Sequence, residues 1–254
     1  MLNRIKNRIK QFVRNEIVDV IKANSLAVRY NDAFQGYRGL YEGKDIYIVG
    51  CGPTEKYFNP IIDENRVYIG VNRAYLDNKY SFNYLFAQDQ MEEGMSGFLT
   101  YRDSECVKFL AIIPHEEADY RISDCCSSMK TAIRYALAGK RMGKIPMDIS
   151  VEPVADLCGT VFSALQFALF TNPRRIYLIG FDCSEGNSFK KTNASYNYQL
   201  DGWLSIKKHL ESLKKQDLVV SVNPIGLKGY FNDVYTRNFV SENEFDTTEY
   251  SLYE

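Results

Sequence analysis

From residue 45 onward, short apolar runs alternate with longer polar or amphipathic stretches. The apolar runs are rich in β-branched and aromatic residues and are short enough to be buried strands. Strands are predicted at residues 45–49, 66–71, 83–87, 107–113, 175–179 and 218–222. Helices are predicted at residues 127–138, 160–170 and 202–215. This alternation predicts an α/β fold with a Rossmann-like, doubly wound and mostly parallel sheet.

Residues 1–24 follow a different pattern, with apolar residues at helical spacing. The apolar positions are Leu2, Ile5, Ile9, Phe12, Val13, Ile17, Val20 and Ile21. The first fifteen residues also carry Arg4, Lys6, Arg8, Lys10 and Arg14 and no acidic side chain. We therefore expect an amphipathic helix, followed by a linker to residue 40. Such a helix can lie on an anionic membrane surface, or it can pack on its own domain or on a partner subunit, and the sequence leaves these alternatives open.

Three further segments interrupt or follow the regular alternation. Residues 139–153 contain two glycines and two prolines without clear periodicity, which indicates an ordered loop or a small lid. A second lid-like region is expected at about 184–201. Residues 239–254 form an acidic, polar tail that is expected to fray. The main nucleotide-binding domain is thus expected at residues 41–238.

The length of 254 residues suits one main domain with appendages. The 31 basic and 32 acidic residues give a net charge of −1, so we expect no nucleic-acid partner. No apolar run approaches the roughly 18 residues of a membrane-spanning helix, and the start lacks the apolar core of a signal peptide. The six cysteines are scattered without a CxxC pair, which is typical of reduced thiols. These features favour a cytoplasmic protein.

The first predicted strand runs into the sequence Gly50-Cys51-Gly52-Pro53-Thr54. Gly50 and Gly52 allow a sharp turn and a close approach to a phosphate, Pro53 suits the first turn of a helix, and Thr54 offers a hydroxyl. At the carboxyl end of a parallel strand, such a turn is typical of an anion-binding site. Its spacing differs from the dinucleotide-binding and ATP-binding glycine motifs. The alternative is a strand-to-helix turn with a structural role only.

Polar residues also follow other predicted strands. Asn72 ends the second strand, Gln88 and Asp89 end the third, and Gly180 and Asp182 follow a late strand. Because the carboxyl ends of parallel strands meet at one edge of a sheet, we expect these residues to line a ligand cleft. Taken singly, each one is equally consistent with an ordinary turn residue.

Five segments together resemble a known family. They are IVGCGPT (48–54), VNRAYL (71–76), LFAQD (85–89), CGTVFSALQFALF (158–170) and RRIYLIGFDCSEGNSF (174–189). In this order they resemble motifs of the bacterial sialyltransferases of the lipooligosaccharide type, and more loosely those of related Rossmann-like proteins whose first turn reads Gly-Asn-Gly-Pro-Ser. Cys51 stands where that family has an asparagine, and Gln88 where it has a second one.

The resemblance implies a metal-independent glycosyltransferase with a CMP-sugar donor and no tightly bound cofactor. The turn at Gly50 would surround the phosphate, Asn72 and Gln88 would hold nucleotide and sugar, and Gly159 would begin a helix that faces the donor. The donor site as a whole is expected to comprise Gly50, Cys51, Gly52, Pro53, Thr54, Asn72, Gln88, Gly159, Thr160, Gly180, Tyr196 and Tyr198.

The general base is the main departure from that family. The catalytic histidine of the sialyltransferases would fall near Gln199 in this sequence. Neither His115 nor His209 occupies that position. Sugar transfer needs a base for the acceptor hydroxyl, and Asp89 and Asp182 are the candidates because they are expected at strand ends. Tyr196 or Tyr198 can donate to the leaving phosphate.

The leading hypothesis is a glycosyltransferase that moves sialic acid or another sugar from a nucleotide sugar to a cell-surface glycan or a lipid-linked acceptor. A pyrophosphokinase-like nucleotide-dependent transferase is an alternative, and it would require Mg²⁺ and clustered carboxylates. A non-catalytic nucleotide-binding or sugar-binding protein is a third. A peripheral position at the inner face of the membrane and a homo-oligomer both remain open.

Overall fold

The computed structural model describes residues 2–13, 17–30, 32–88, 98, 101, 105–112, 132–183 and 199–236. These residues form nine strands: β1 Asp45–Val49, β2 Arg66–Val71, β3 Tyr84–Ala87, β4 Val107–Ile112, β5 Ile133–Arg141, β6 Val154–Asp156, β7 Arg175–Ile179, β8 Val219–Val222 and β9 Asn232–Val234. The described α-helices are α1 Leu2–Val13, α2 Asp19–Arg29, α3 Thr160–Phe170 and α4 Leu200–Ser212. Short 3₁₀ helices, Pro53–Tyr57 and Asn72–Leu76, follow β1 and β2.

The strands form one parallel sheet in the order β6-β5-β4-β3-β2-β1-β7-β8-β9. The chain moves outward from β1 to β6 and then returns to place β7 on the other side of β1. The strand order therefore reverses between β1 and β7, which is the point where open α/β sheets bind ligands. Val49 lies opposite Ile179, so the carboxyl ends of these two strands are level.

Helices and loops cover both faces of the sheet. In β1, Ile46 and Ile48 belong to one buried cluster, whereas Tyr47 and Val49 belong to a second cluster on the opposite face. The apolar side chains of α3 and α4 fill the first cluster, and α2 contributes Leu26 to the second. The expected Rossmann-like, doubly wound α/β fold is confirmed.

One predicted helix is wrong. Residues 133–138, expected to be helical, belong to strand β5, and Phe109 of β4 pairs with Ile133 in parallel register. The segment is rich in alanine and leucine, which favour helices, but pairing along β4 and burial of Tyr135 override that local preference. The strand also takes the first three residues of the predicted loop at 139–153.

Other differences concern element boundaries. The predicted N-terminal helix at residues 1–24 corresponds to the described helices α1 and α2, and α2 continues to Arg29. The helix α4 begins at Leu200 and ends at Ser212, whereas residues 202–215 were expected. The predicted strand at 83–87 begins at Tyr84, and the one at 218–222 begins at Val219.

Some predictions lie outside the described residues. They concern residues 127–131 of the predicted helix, residue 113, most of the lid-like region at 184–201, and the tail at 239–254. Within the described part of the chain, no helix combines the length and the hydropathy that crossing a membrane requires.

Candidate functional site

The turn after β1 packs directly against the turn after β7. The Gly50 N–H donates to the Ile179 carbonyl at 2.8 Å, and the Gly52 N–H donates to the Gly180 carbonyl at 2.8 Å. A side chain at position 52 would collide with Asp182, and its Cβ would lie 2.5 Å from the Gly180 oxygen. These glycines are therefore required by the close approach of two strand ends, a reason that the phosphate interpretation of the sequence did not include.

Asp182 holds the turn through Thr54. The Thr54 N–H donates to Asp182 Oδ2 at 3.0 Å, and the Thr54 hydroxyl donates to Asp182 Oδ1. Asp182 is only 3% exposed, and burial raises its pKa to about 6, against the lowering effect of the Thr54 hydrogen bonds. Both carboxylate oxygens thus serve the fold. The N–H groups of Gly50, Gly52 and Thr54 also have partners inside the protein, so this turn does not offer them to a ligand.

Cys51 links the turn after β1 to the turn after β2. The Arg73 N–H donates to the Cys51 sulfur, and the nearby Arg73 charge lowers the pKa of the thiol. Burial, the largest influence, nevertheless raises that pKa to about 12. At neutral pH Cys51 is therefore a neutral thiol and a weak nucleophile.

The start of α3 lies beside the end of β2. The Thr160 hydroxyl donates to Asn72 Oδ1 at 2.8 Å, and Asn72 remains exposed on its other side. Gly159 precedes α3 without a side-chain cap, and the first turn of this 11-residue helix contains no acidic residue. The first N–H groups of a helix have no partner within it and carry a partial positive charge. This helix start is suited to an anion.

Two further amides lie against the first turn of α3. Gln88, at the end of β3, donates from Nε2 to Ser163 Oγ at 3.1 Å, and both side chains are buried. Gln199, just before α4, lies so close to Gly159 that an added Cβ would be 2.9 Å from its Nε2. Gln199 is the position at which the resemblance places the catalytic histidine. An amide cannot accept the acceptor's proton at neutral pH, but it can hydrogen-bond a ligand.

Unusual backbone conformations concentrate at the same edge of the sheet. Seven described non-glycine residues have a positive φ, and five of them follow the carboxyl end of a strand. These five are Asn72, Met142, Cys158, Cys183 and Asn223. Asparagine tolerates this conformation, whereas it costs about 1–2 kcal/mol for most other residues. Such outliers cluster at functional sites, which favours the carboxyl edge as the working edge of the sheet.

The structure thus groups the predicted residues around two centres. Gly50, Gly52, Thr54, Gly180 and Asp182 form the interlocked turns of β1 and β7, with Pro53 at the first position of the following 3₁₀ helix. Asn72, Gln88, Gly159 and Thr160 surround the start of α3, and Cys51 lies between the two centres through its contact with Arg73. Asp89, His115, Tyr196 and Tyr198 lie outside the described residues.

Sequence reasoning missed Arg73 and Ser163. Arg73 directly follows Asn72, and Ser163 lies one helical turn after Thr160, so their positions alone could have indicated them. Gln199 was identified only as the position of an absent histidine.

His209 lies at the opposite edge of the sheet. It lines a cavity of about 350 Å³ together with Arg38, Phe170 and Lys215, near the carboxyl end of α3. Its pKa is lowered by burial and, to a smaller degree, by the charge of Lys144. Because α3 separates His209 from Gly159 and Thr160, this histidine is not positioned to act at the start of the helix.

The described residues contain no group of three or more His, Cys, Asp or Glu side chains arranged to hold a metal ion. The acidic residues of the edge are dispersed among structural contacts, as Asp182 illustrates.

No protein-family profile matches the sequence, and no curated protein matches it. Among solved structures, the chain is similar to the Maf glycosyltransferase from Magnetospirillum magneticum AMB-1, with 11% sequence identity and a TM-score of 0.45. The similarity covers 93% of this chain but only 41% of the length of that glycosyltransferase. At this identity and score, it assigns neither an activity nor a residue role.

Proposed function

We propose that this chain is a glycosyltransferase that moves a sugar from a nucleotide-sugar donor to a cell-surface glycan or a lipid-linked acceptor. The observation that carries the proposal is the set of amides around the uncapped start of α3. Asn72, Gln88 and Gln199 reach this point from three separate parts of the chain. Amides donate and accept hydrogen bonds, which suits the hydroxyls of a sugar and the edges of a nucleobase.

The diphosphate or phosphate of the donor would bind at the helix start itself. The N–H groups at the start of α3 and the positive end of the helix dipole favour a negative charge there. Arg73, next to Asn72, brings a full positive charge to the same edge. The interlocked turns of β1 and β7 would then act as the rigid support that fixes this edge, rather than as the phosphate cradle itself.

In the transfer step, the acceptor hydroxyl oxygen attacks the anomeric carbon while the bond from that carbon to the phosphate oxygen breaks. The nucleotide leaves with the bonding electrons, and a base takes the hydroxyl proton. Asp182 is engaged by Thr54 through both oxygens and fits a positioning role. Asp89, which directly follows Gln88 in the sequence, is therefore the candidate base, and Tyr196 or Tyr198 would donate to the leaving phosphate.

The donor that we favour is a CMP-sugar, used without a metal ion, because the order of the sequence motifs resembles that of the sialyltransferases. The thiol of Cys51 replaces an amide of that family and is a weak hydrogen-bonding group. The sugar itself, sialic acid or another, would be selected by contacts that include Gln88 in place of asparagine.

The test is a comparison of CMP-, UDP- and GDP-sugars incubated with the full chain, with nucleotide release and sugar transfer to glycan and lipid-linked acceptors measured in the presence of EDTA. Turnover of a CMP-sugar under these conditions is the expected result. Turnover only with Mg²⁺ and ATP would indicate a pyrophosphokinase-like enzyme instead. Nucleotide or sugar binding without turnover on any acceptor would indicate a non-catalytic binding protein.

A further inference from the structure

The first two helices expose an unusual amount of apolar surface. Sixteen large hydrophobic residues are exposed in the described part of the chain. Eight of them lie within the first 28 residues. They are Ile5, Ile9, Phe12, Val13, Ile17, Val18, Ile21 and Val28. Scattered single apolar residues on a surface are normal, whereas a contiguous group marks an interaction site.

In α1, the exposed apolar residues share one face of the helix. Ile5, Ile9 and Phe12 follow the helical repeat and are 49%, 58% and 64% exposed. All the side chains of α1 that the structure describes are exposed, so this helix buries none of these three residues on its own domain. The described side chains of α1 thus do not pack on the parent domain, which was one of the alternatives for residues 1–24.

The second helix packs with one face and exposes the other. Ala23 and Leu26 are buried, and Leu26 joins the cluster that includes Ala136 of β5. Ile21 and Val28, on the opposite side, are 64% and 74% exposed. The second helix is therefore anchored to the sheet through its buried face.

A helix of 12 residues whose described apolar side chains are all exposed is marginal in water, because helices of this length depend on packing. We therefore expect another surface to cover α1. The charge of the helix indicates which one. Arg4, Lys6 and Lys10 are exposed beside the apolar face, and α1 contains no acidic residue. Apolar residues flanked by basic ones, without acidic ones, match an anionic lipid surface.

We propose that α1 docks on an anionic lipid bilayer, with Ile5, Ile9 and Phe12 in the acyl boundary and the basic residues at the headgroups. This docking goes beyond the proposed sugar transfer and does not depend on it. If both hold, the enzyme lies on the surface where a lipid-linked acceptor would be found.

The test is co-sedimentation of the full chain with vesicles of phosphatidylcholine alone and of phosphatidylcholine with phosphatidylglycerol, without nucleotide. We expect binding to the anionic vesicles and at least about tenfold weaker binding to the neutral ones. The variant Ile5→Ser/Ile9→Ser/Phe12→Ser should bind the anionic vesicles at least about tenfold more weakly than the wild type. The matched control Ile62→Ser/Met147→Ser/Val151→Ser removes three equally exposed apolar residues elsewhere and should bind as the wild type does.

A second pair of variants tests the charge. Lys6→Glu/Lys10→Glu should lose binding to anionic vesicles by about tenfold or more, whereas Lys208→Glu/Lys214→Glu, on and after α4, should not. Equal binding of the serine variant and the wild type would overturn the proposal, as would no binding of the wild type to either vesicle. A wild-type dimer that dissociates in the serine variant would overturn it too, because a second copy would then cover this face. Since no donor is present, failure here leaves the transfer assay unaffected.

Discussion

Asp182 accepts two hydrogen bonds from one residue, Thr54, which lies 128 positions earlier in the chain. The pair joins the turn after β1 to the turn after β7 at the point where the strand order reverses. Asp182 was a candidate base in the sequence, but both of its oxygens are engaged and the residue is buried. Asp182 is therefore placed to hold the carboxyl edge of the sheet in position beside the N-terminus of α3.

The first prediction concerns Asp182 and pH. The pKa of Asp182 is about 6 in the folded protein, above the ordinary value of 3.8. Protonated Asp182 therefore contributes to the stability of the folded protein, fully below about pH 3.8, and this contribution is lost as the pH rises through about 6. Asparagine can bond Thr54 without titrating. Between about pH 4 and pH 7, the free energy of unfolding of Asp182→Asn should therefore rise by about 1–3 kcal/mol relative to that of the wild type.

Chemical unfolding of both proteins across this pH range measures the difference, and groups that titrate in both cancel. A difference that stays constant with pH would show that Asp182 does not have the raised pKa on which this prediction depends. The variant Asp182→Ala is the companion control, since it leaves the Thr54 N–H unpaired and should be less stable than Asp182→Asn at every pH.

The second prediction separates the two glycines that precede the helical turns. Gly52→Ala should destabilise the protein by at least about 2 kcal/mol, because its Cβ would meet the Gly180 backbone oxygen at 2.5 Å. Gly159→Ala should cost less than about 1 kcal/mol, because its backbone is extended, its closest contact would be the movable end of Gln199, and the Phe162 ring would be 3.4 Å away. Thermal unfolding of the two variants checks this, and equal losses would contradict the account of the interlocked turns.

The third prediction concerns the reactivity of Cys51. With a pKa of about 12, about one thiol in ten thousand is ionised at pH 8, so iodoacetamide should modify Cys51 at least about a hundredfold more slowly than a free cysteine. Peptide mass spectrometry over a time course measures the rate, and the same chain in denaturant is the control. Rapid modification of Cys51 in the folded protein would indicate an activated thiol and contradict the neutral state inferred here.

The fourth prediction assigns the base. Asp89→Asn should lower the rate of sugar transfer by about 10²–10⁴-fold while nucleotide affinity stays within a few fold, as expected for loss of a proton acceptor. Asp182→Asn is the matched control and should keep most of the rate, because the amide oxygen can accept from the Thr54 N–H and the amide nitrogen can donate to the Thr54 hydroxyl. Steady-state kinetics and nucleotide binding of the two variants decide between them. The opposite ranking would make Asp182 the base.

Much of the fold could be predicted because the strands carry local signals. The bounds of β1, β2 and β7 agree with the predictions, since each is a short run of β-branched and aromatic residues between turn residues. The strands β6 and β9 were missed because three residues are too few for a pattern. β5 was mistaken for a helix because its local preference conflicts with its place beside β4.

The site was only partly predictable. The residues at the strand ends could be found because the carboxyl ends of parallel strands lie at one edge of the sheet. Which strand ends are neighbours, however, depends on the strand order. Thr160 reaches Asn72 across 88 positions, and no local pattern reports such a pairing. The physical role of Gly52 could not be read from the sequence either. Close packing on Gly180 and close approach to a phosphate both require a glycine, so the sequence does not distinguish them.

A nucleotide is proposed to bind beside Asn72 at the start of α3. Asn72→Gly removes the amide while glycine accepts its φ of 52°, and Asn172→Gly makes the same change at a φ of 53° beyond the other end of α3. The direct measurement is the thermal shift of the wild type and both variants with CMP, UDP and GDP.

At a hundred times its dissociation constant, a ligand adds about 2.7 kcal/mol to the free energy of unfolding, or roughly 5–10 °C in Tm for a chain of this size. We predict such a shift with CMP for the wild type and for Asn172→Gly, and its loss in Asn72→Gly. No shift with any nucleotide in the wild type, or an undiminished shift in Asn72→Gly, would contradict the account.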